Sequence, residues 1–462
     1  MNDDKLFPSS SMPWQVAWTS SQPPEQWRYR LSIAVQHAGS EHITPYQNGR
    51  YVWLRNYLYY CTIIGVFCNL LFVRLNFHMH LVEANLLILC LLVRVTRISP
   101  WILAFMAYMA ASGAIGIANG TDAFAGFFVQ FRAISISLLY YYFFFRLIKN
   151  DFRRAFLTYA KVAYWFAVIA LPVWAVTCLM EHEYVRLRGL ATEPADFCIL
   201  VLPAFYWYGY QFLTARRHGL KVCIFALAVV LSASSLGYLS VGLGLLLLLS
   251  KRRKHRLAAP LLVTGLLVLA YIESPYFRMR VSDTLVTATV GDFTGTNLST
   301  YALLSNAIVT ERVLAESPVL GNGLGSHPIS HERFLYGLQG IDFFVEQHLQ
   351  DSNALEAASL TLRVLSEFGF LGYLGVLAFL IHFRVGGKGD YGAISNALLV
   401  CFFLKLIRGG QYYPPEQFFF IFIYVLNYRQ AKREGSIGAK ALRSPPARLI
   451  TPFPLGNRLM TE

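Results

Sequence analysis

Charge is what this sequence has least of. Asp, Glu, Lys and Arg make up 14% of its 462 residues, where soluble domains carry roughly 25%. That shortage excludes a disordered chain and a soluble nucleic-acid binder, both of which depend on charge. Cysteine is scarce in pattern rather than in number. The seven cysteines, Cys61, Cys68, Cys90, Cys178, Cys198, Cys223 and Cys401, all lie in apolar segments without a CxxC pair or a histidine at ligand spacing. No disulfide framework or zinc site is indicated, and buried free cysteine behaves as a small hydrophobe. A cleavable signal peptide is also missing from the reading. The first fifty-odd residues are polar and Pro-containing, and the first apolar run starts near Tyr57.

Hydrophobicity fills the space that charge leaves. Apolar residues reach 55%, aromatics 15%, and the mean hydropathy is +0.44. The source is a series of apolar stretches of about 17–25 residues, each able to cross a hydrocarbon core of about 30 Å. The sequence predicts spans near 57–74, 81–95, 101–118, 123–147, 156–179, 195–214, 221–250, 257–273, 360–382, 391–407 and 414–428. The stretch 221–250 is too long for one crossing. Arg216, Arg217 and Lys221 precede it and Lys251 to Lys254 and Arg256 follow it, so both flanks read as cytoplasmic. It is therefore expected to form a hairpin around Ser232–Gly237, giving about twelve transmembrane helices with both termini inside. The fold class expected is an all-α polytopic integral membrane protein.

The net charge of +14 is read by position rather than as a sign of nucleic acid. Lys149, Arg153, Arg154, Arg384 and Lys388 mark further cytoplasmic turns, and the tail after Tyr428 holds seven basic residues against two Glu. From Ser274 to Ala358 there is no lysine, and four arginines stand against nine acids. That stretch is external by parity and by composition. The resulting division is a cytoplasmic extension over 1–56, helices over 57–273, an external loop over 274–358, helices over 359–428 and a basic cytoplasmic tail over 429–462.

The external loop is too long for plain coil. Residues 299–316 read as an amphipathic helix with Leu303, Leu304, Ala307, Ile308 and Leu314 on its apolar face, ended by Ser317-Pro318. Gly321-Asn-Gly-Leu-Gly-Ser-His327 follows, either a flexible turn or a turn bringing backbone N–H groups to an anion. Asn353 with Glu356 reads as the cap of the next helix. A mobile, partly helical lid over the membrane mouth is the expectation.

Ionisable residues inside spans are expensive and mark functional sites by default. Here they are Glu83, Arg132, Glu193, Asp196, Arg363, Glu367, Lys405 and Arg408. Arg363 and Glu367 stand at i, i+4 and can pair with each other. Glu83 suits an interfacial position, and for Arg132 pairing and ligand contact are both open. On the external side lie Arg186 and Arg188 in the short turn with Glu193, Arg278 and Arg280 at the base of the long loop, and Arg408. Guanidinium forks suit diphosphate oxygens. Salt bridges to the loop's own acids are the plainer alternative for any one of them.

With these residues in place the chain resembles the bacterial O-antigen polymerase and O-antigen ligase superfamily. The resemblance covers roughly 57–428. It rests on Arg186-x-x-Gly189 with Glu193-Pro194, SASSLGYLSVGLG in the hairpin, SPVLGNGLGSH followed by LSEFGFLG, and LKLIRGGQYYPPEQFFF. Ligases of that superfamily usually carry a His-Asn pair where this chain reads Ala358-Ser359, so it leans toward the polymerases. The resemblance implies a GT-C-like membrane glycosyltransferase in the bacterial inner membrane with its active face periplasmic. Its donor would be an undecaprenyl diphosphate-linked glycan and its acceptor a sugar hydroxyl. No metal or other cofactor is called for, and other polysaccharide-assembly proteins are possible partners. Ligation to lipid A core is the second reading, and a lipid-linked sugar transporter or flippase is the rival from another class.

In the implied roles, Arg186, Arg188, Arg278, Arg280 and Arg408 bind diphosphate and stabilise its developing charge. Glu193 or His348 acts as general base. His327 and His331 could contact sugar, and Tyr412 and Tyr413 could stack on it or anchor at the interface. The topology has a direct check. In a cysteine-free background, a cysteine at Ser317 should react with an impermeant maleimide in intact cells and one at Lys254 only after permeabilisation. Labelling of both from one side would break the twelve-span assignment.

Overall fold

The computed structural model of the chain describes residues 51–442 apart from 69–70, 72–79, 94–97, 192, 251–260, 262–263, 266–267, 269–270, 273–274, 336–337 and 387–388. Nearly all of the N-terminal extension, the basic run 251–256 and the tail beyond 442 therefore lie outside the described residues. Among the described residues the chain is helical throughout, with no β-strand. The first half holds α1 (Val52–Cys68), α2 (Leu81–Val93), α3 (Pro100–Ala118), α4 (Phe124–Leu147), α5 (Phe152–Glu181), α6 (Pro194–Ala215), α7 (Gly219–Leu231) and α8 (Ser235–Ser250). The second holds α9 (Pro275–Val290), α10 (Leu298–Glu316), α11 (His327–Leu335), α12 (Asp342–Glu346), α13 (Leu360–His382), α14 (Asp390–Ile407) and α15 (Pro415–Leu442).

Six of them, α3, α4, α5, α6, α13 and α14, are long and apolar enough to cross a membrane. The protein is thus a polytopic membrane protein in its broad character. The predicted hairpin over 221–250 is present as α7 and α8 joined at Ser232–Ser234. At about 1.5 Å per residue these helices reach roughly 20 and 24 Å, short of a full hydrocarbon core.

Local chemistry sets the ends. Asp151 caps α5 by accepting from the Arg154 amide at 3.0 Å. Pro194 opens α6, where its missing N–H costs nothing. The core is aromatic: Tyr159 of α5 touches Phe419 and Phe420 of α15, and Phe145 of α4 stacks on Phe422. α6 is the central post, packed by α5, α7, α8 and α14.

The bundle has two chemically different ends. At one, Arg153 at the start of α5 pairs with Asp390 at the start of α14. At the other, the turns 119–123, 182–193, 232–234 and 408–414 lie on the side of the long excursion between α9 and α13. Thr121 there donates to the Asn322 carbonyl at 2.8 Å. The Gly409 amide donates to the Ala358 carbonyl at 3.1 Å.

The excursion has a core of its own, in which Phe293, Tyr301, Leu335, Ile341 and Phe344 are buried and the Tyr301 and Phe344 rings stack 3.9 Å apart. α10 matches the predicted 299–316 helix and ends at Ser317 as expected. Its buried face does not match. Ala302, Ser305, Asn306, Val309, Thr310 and Val313 are buried, while Leu303, Leu304, Ala307, Ile308 and Leu314 are only partly so. Small and polar residues win because α10 packs on the polar face of α13. Leu304 and Ile308 instead lean on the excursion's small core. The expected Asn353 cap is also corrected. Asn353 has a left-handed φ of 60°, and Ser359 caps α13 by accepting from the Leu362 amide at 3.4 Å.

The feature that ties excursion to bundle is a break in α13. Gly369 leaves helical geometry at φ 60° and ψ −163°. The freed groups are taken by the glycine segment. The Asn322 and Gly323 amides donate to the Ser366 and Glu367 carbonyls, both at 2.9 Å. In return the Phe370 and Leu371 amides donate to the carbonyls of Pro318 and Val319 at 2.9 and 3.1 Å. A Cβ on Gly321 would lie 2.6 Å from the Gly369 nitrogen, and one on Gly323 would lie 2.9 Å from the Ser112 carbonyl oxygen. The glycines thus serve backbone-to-backbone packing. The Asn322 and Gly323 amides are spent on α13, which argues against the anion-turn reading for them, and the excursion is anchored rather than a loose lid.

Gly369→Ala should lower the melting temperature markedly. The backbone alone costs about 1–3 kcal/mol at such a position, and the added methyl would fall on the Val319 carbonyl. Gly375→Ala, on the same helix with open space around it, should be neutral or slightly stabilising in the same thermal-shift assay.

Candidate functional site

Two polar groups of residues occupy the excursion end. The first is buried at the break in α13. Arg363, 2% exposed, and Glu367, 0% exposed, pair across one turn with Nε to Oε1 at 3.2 Å, as their spacing predicts. Arg363 also donates to the Gly410 carbonyl at 2.9 Å and to the Gln130 side chain, and lies 4.3 Å from the centre of the Tyr412 ring. One guanidinium therefore links α13, α4 and the 408–414 turn.

His327 sits on the other side of this group. Its Nδ1 is 2.7 Å from Ser366 Oγ and its Nε2 is 2.8 Å from Asn306 Oδ1. Asn306 is oriented by donating through Nδ2 to the Ala302 carbonyl at 2.6 Å, so its oxygen must accept. The network therefore assigns the proton to Nε2 and makes Nδ1 the acceptor of the Ser366 hydroxyl. Burial first, then His331 and Arg363, push His327 well below the usual histidine range. It is a neutral structural link between α10, α11 and α13, with no side available to a sugar. His331 is likewise buried, and burial lowers it too.

The second group surrounds the start of α6. Asp196, exposed in its first turn, lies within electrostatic reach of Glu416, Glu193, Lys405 and Glu356. Lys405 of α14 and Glu416 of α15 form a nearly buried pair at 2.5 Å. Gln411 holds the Glu356 side chain. Gly410 lies hard against the Glu356 carbonyl, and Gly409 takes a φ of 93°, which gives the Arg-Gly-Gly pattern a steric reason.

The predicted site residues are spread over the excursion end. Arg186 donates through Nε to the Ser232 carbonyl at 3.3 Å, and its charge reaches Cys198 and Tyr238. Tyr238 meets Phe277 at the start of α9, so Arg186 and the base of the long loop are neighbours. Glu193 is exposed and precedes α6 without a side-chain cap bond. Arg188 is exposed in the same turn. Arg408 turns to the start of α10 and donates to the Ser299 hydroxyl at 2.8 Å. Arg278 folds back on the Tyr271 and Ile272 carbonyls. The Arg280 side chain lies outside the described residues. His348 is exposed at a left-handed φ of 54° and belongs to the excursion surface. Glu83 and Arg132 pair with each other at 2.5 Å.

The structure thus brings Glu193 and Asp196 near Lys405, Glu416 and Glu356, leaves Arg186 beside Ser232 and Cys198, and sets Arg408 against α10. Asp196 was visible in the sequence as an intramembrane acid; its link to Lys405, Glu416 and Glu356 was not, because that link spans four segments. Asp122 and Gln130 at the first group carried no signal beyond their polarity. Compared with family models, curated proteins and solved structures, the chain matches none.

Removing one partner of a buried ion pair leaves a charge without compensation, at about 3–5 kcal/mol. Lys405→Ala should therefore unfold at clearly lower temperature than wild type. The double change with Glu416→Ala should recover much of the loss. Equal melting of both variants would mean that the pair contributes nothing.

Proposed function

We propose that the protein is a membrane glycosyltransferase of the polysaccharide-polymerase type. It would transfer glycan from a polyprenyl diphosphate donor to an acceptor sugar hydroxyl at the excursion end of the bundle. The observation that supports this reading is the gathering of Glu193, Asp196 and Glu356 near the start of α6, with Arg186 on the turn that leads into the same helix. Group transfer from a diphosphate needs cationic donors where the leaving group gathers charge and an acceptor for the incoming hydroxyl's proton. The twelve-crossing topology, the GT-C-like fold, the inner-membrane location and the periplasmic orientation of this end belong to the same proposal.

In this reading the acceptor oxygen attacks the anomeric carbon, and the bond from that carbon to the diphosphate oxygen breaks. The hydroxyl proton passes to a carboxylate, with Glu193 the first candidate because it is exposed ahead of α6 and makes no side-chain cap bond. The departing diphosphate takes the bonding electron pair. Arg186 and Arg188, in the turn before α6, are the first candidates to receive that charge. Arg408 would act from the α10 side. Transfer to lipid A core in place of a second repeat unit is the same chemistry with another acceptor.

One observation favours a second reading. A membrane-length helix interrupted at Gly369, with Arg363 and Glu367 buried beside the break, resembles the discontinuous helices that transporters place around a substrate. Reconstituted protein separates the alternatives. With lipid-linked repeat units, an enzyme yields product of higher mass, and a second repeat unit or lipid A core used as acceptor tells polymerase from ligase. A transporter changes only the sidedness of its lipid. Arg186→Ala and Arg408→Ala should each cut transfer by about 10²-fold or more while eluting as folded protein. Undiminished product length in both would remove the diphosphate assignment.

A further inference from the structure

The end of the bundle opposite the excursion carries positive charge that no described carboxylate answers. Helix α5 bears no charged residue from Val162 to Met180, and α6 none from Phe197 to Ala215. Each run reaches roughly 28 Å at 1.5 Å per residue, close to a hydrocarbon core of about 30 Å. Lys161 stands just beyond the first run, and Arg216 and Arg217 just beyond the second. That is the level at which phospholipid headgroups lie. Lys221, at the start of α7, joins them from a third helix. Its Nζ lies 4.4 Å from the centre of the Tyr208 ring and 5.2 Å from that of Tyr164, and it donates to the Tyr208 hydroxyl at 3.4 Å. Tyr164 is one turn from Lys161 on α5. The Tyr208 ring also meets the ring of His218, next to Arg217, at 5.3 Å. Lys161 and Arg217 are exposed and Lys221 is half-buried. Among the described residues no carboxylate forms a salt bridge with Lys161, Arg216, Arg217 or Lys221.

We propose that Lys161, Lys221 and Arg217 form a site for the phosphate of an anionic phospholipid, held where α5, α6 and α7 meet. Basic pockets between membrane helices recognise such headgroups by charge. The two tyrosine rings fix the Lys221 ammonium in place, and the Tyr208 hydroxyl takes one of its three N–H groups. The other two can turn to phosphate oxygens. A lipid suits the place better than a soluble phosphate because an apolar seat continues from the charges into the membrane. Lys161, Trp165, Ile169 and Val173 follow at intervals of four along α5, and all are exposed, Trp165 by 60%. An acyl chain lies along this stripe while its phosphate rests on Lys161. Leu220, 72% exposed beside Lys221, extends the apolar surface onto α7. The charge also selects the headgroup. A zwitterionic lipid brings an ammonium into a group of like charges that offers no carboxylate to receive it. Phosphatidylglycerol and cardiolipin bring none. The site lies at the far end from the residues assigned to group transfer and does not depend on that assignment.

The test is native mass spectrometry of the full chain released from phosphatidylcholine nanodiscs that contain a minor fraction of phosphatidylglycerol or cardiolipin. The wild type should retain the anionic lipid in preference to phosphatidylcholine. A basic residue near a membrane surface strengthens such binding about fivefold. Lys161→Gln should therefore weaken retention about fivefold, and the double change with Lys221→Gln roughly 25-fold. Lys432→Gln removes the same charge from an exposed position of α15 at the same end and should leave retention unchanged. Equal losses in Lys432→Gln and the double variant would reduce the effect to diffuse charge and overturn the site. Phosphatidylcholine retained as strongly as phosphatidylglycerol would overturn it too. If inorganic phosphate raises the melting temperature in pure phosphatidylcholine nanodiscs as much as phosphatidylglycerol does, the ligand is a soluble anion and the lipid assignment fails. Should the double variant not fold, Lys161→Gln decides, since Lys161 is exposed and has no salt bridge to lose among the described residues. Undiminished retention in that variant refutes the proposal.

Discussion

A backbone that leaves helical geometry inside an apolar bundle must find new partners for the groups it frees. At Gly369 this protein meets that requirement with residues 318–323, whose amides and carbonyls complete the interrupted α13. Much of the excursion end follows from it. The segment must be glycine-rich because a side chain at Gly321 or Gly323 would strike backbone rather than a flexible neighbour. The buried Arg363, Glu367, Asp122 and His327 gather here because a broken helix supplies both room and polar backbone at depth.

The same interruption explains why α10 buries its less greasy side. A stripe of Ala302, Ser305, Asn306 and Thr310 allows close approach, and Asn306 supplies the acceptor that His327 needs. An all-leucine face would leave that imidazole unsatisfied. Helix α10 is thus amphipathic in composition, but its partner decides which side is covered.

Local rules read well where the answer is local. The hairpin at Ser232–Ser234, the end of α10 at Ser317 and the Arg363–Glu367 pair all follow from spacing and turn chemistry within a few residues. The misreadings share a different cause. Read locally, the glycine run is a flexible or anion-binding turn, Asn353 a cap, and Leu303 and Leu304 part of the buried face. Each was decided by a segment far away in the chain: α13 for the glycines, and the 408–414 turn, whose Gly409 amide ties to Ala358, for the approach to Ser359. Of the site, the individual charges were legible from their cost in lipid. Which of them would gather at the start of α6 was not, since Asp196, Lys405, Glu416 and Glu356 come from distant parts of the chain.

The order of biosynthesis gives the interrupted α13 one further meaning. Residues 318–323 leave the ribosome well before Gly369 does, so the piece that completes the helix is made first and must wait. Until it docks, α13 carries bare amides and carbonyls that a translocon cannot release into lipid cheaply. The interrupted α13 is thus completed only when residues 318–323 are in place beside it.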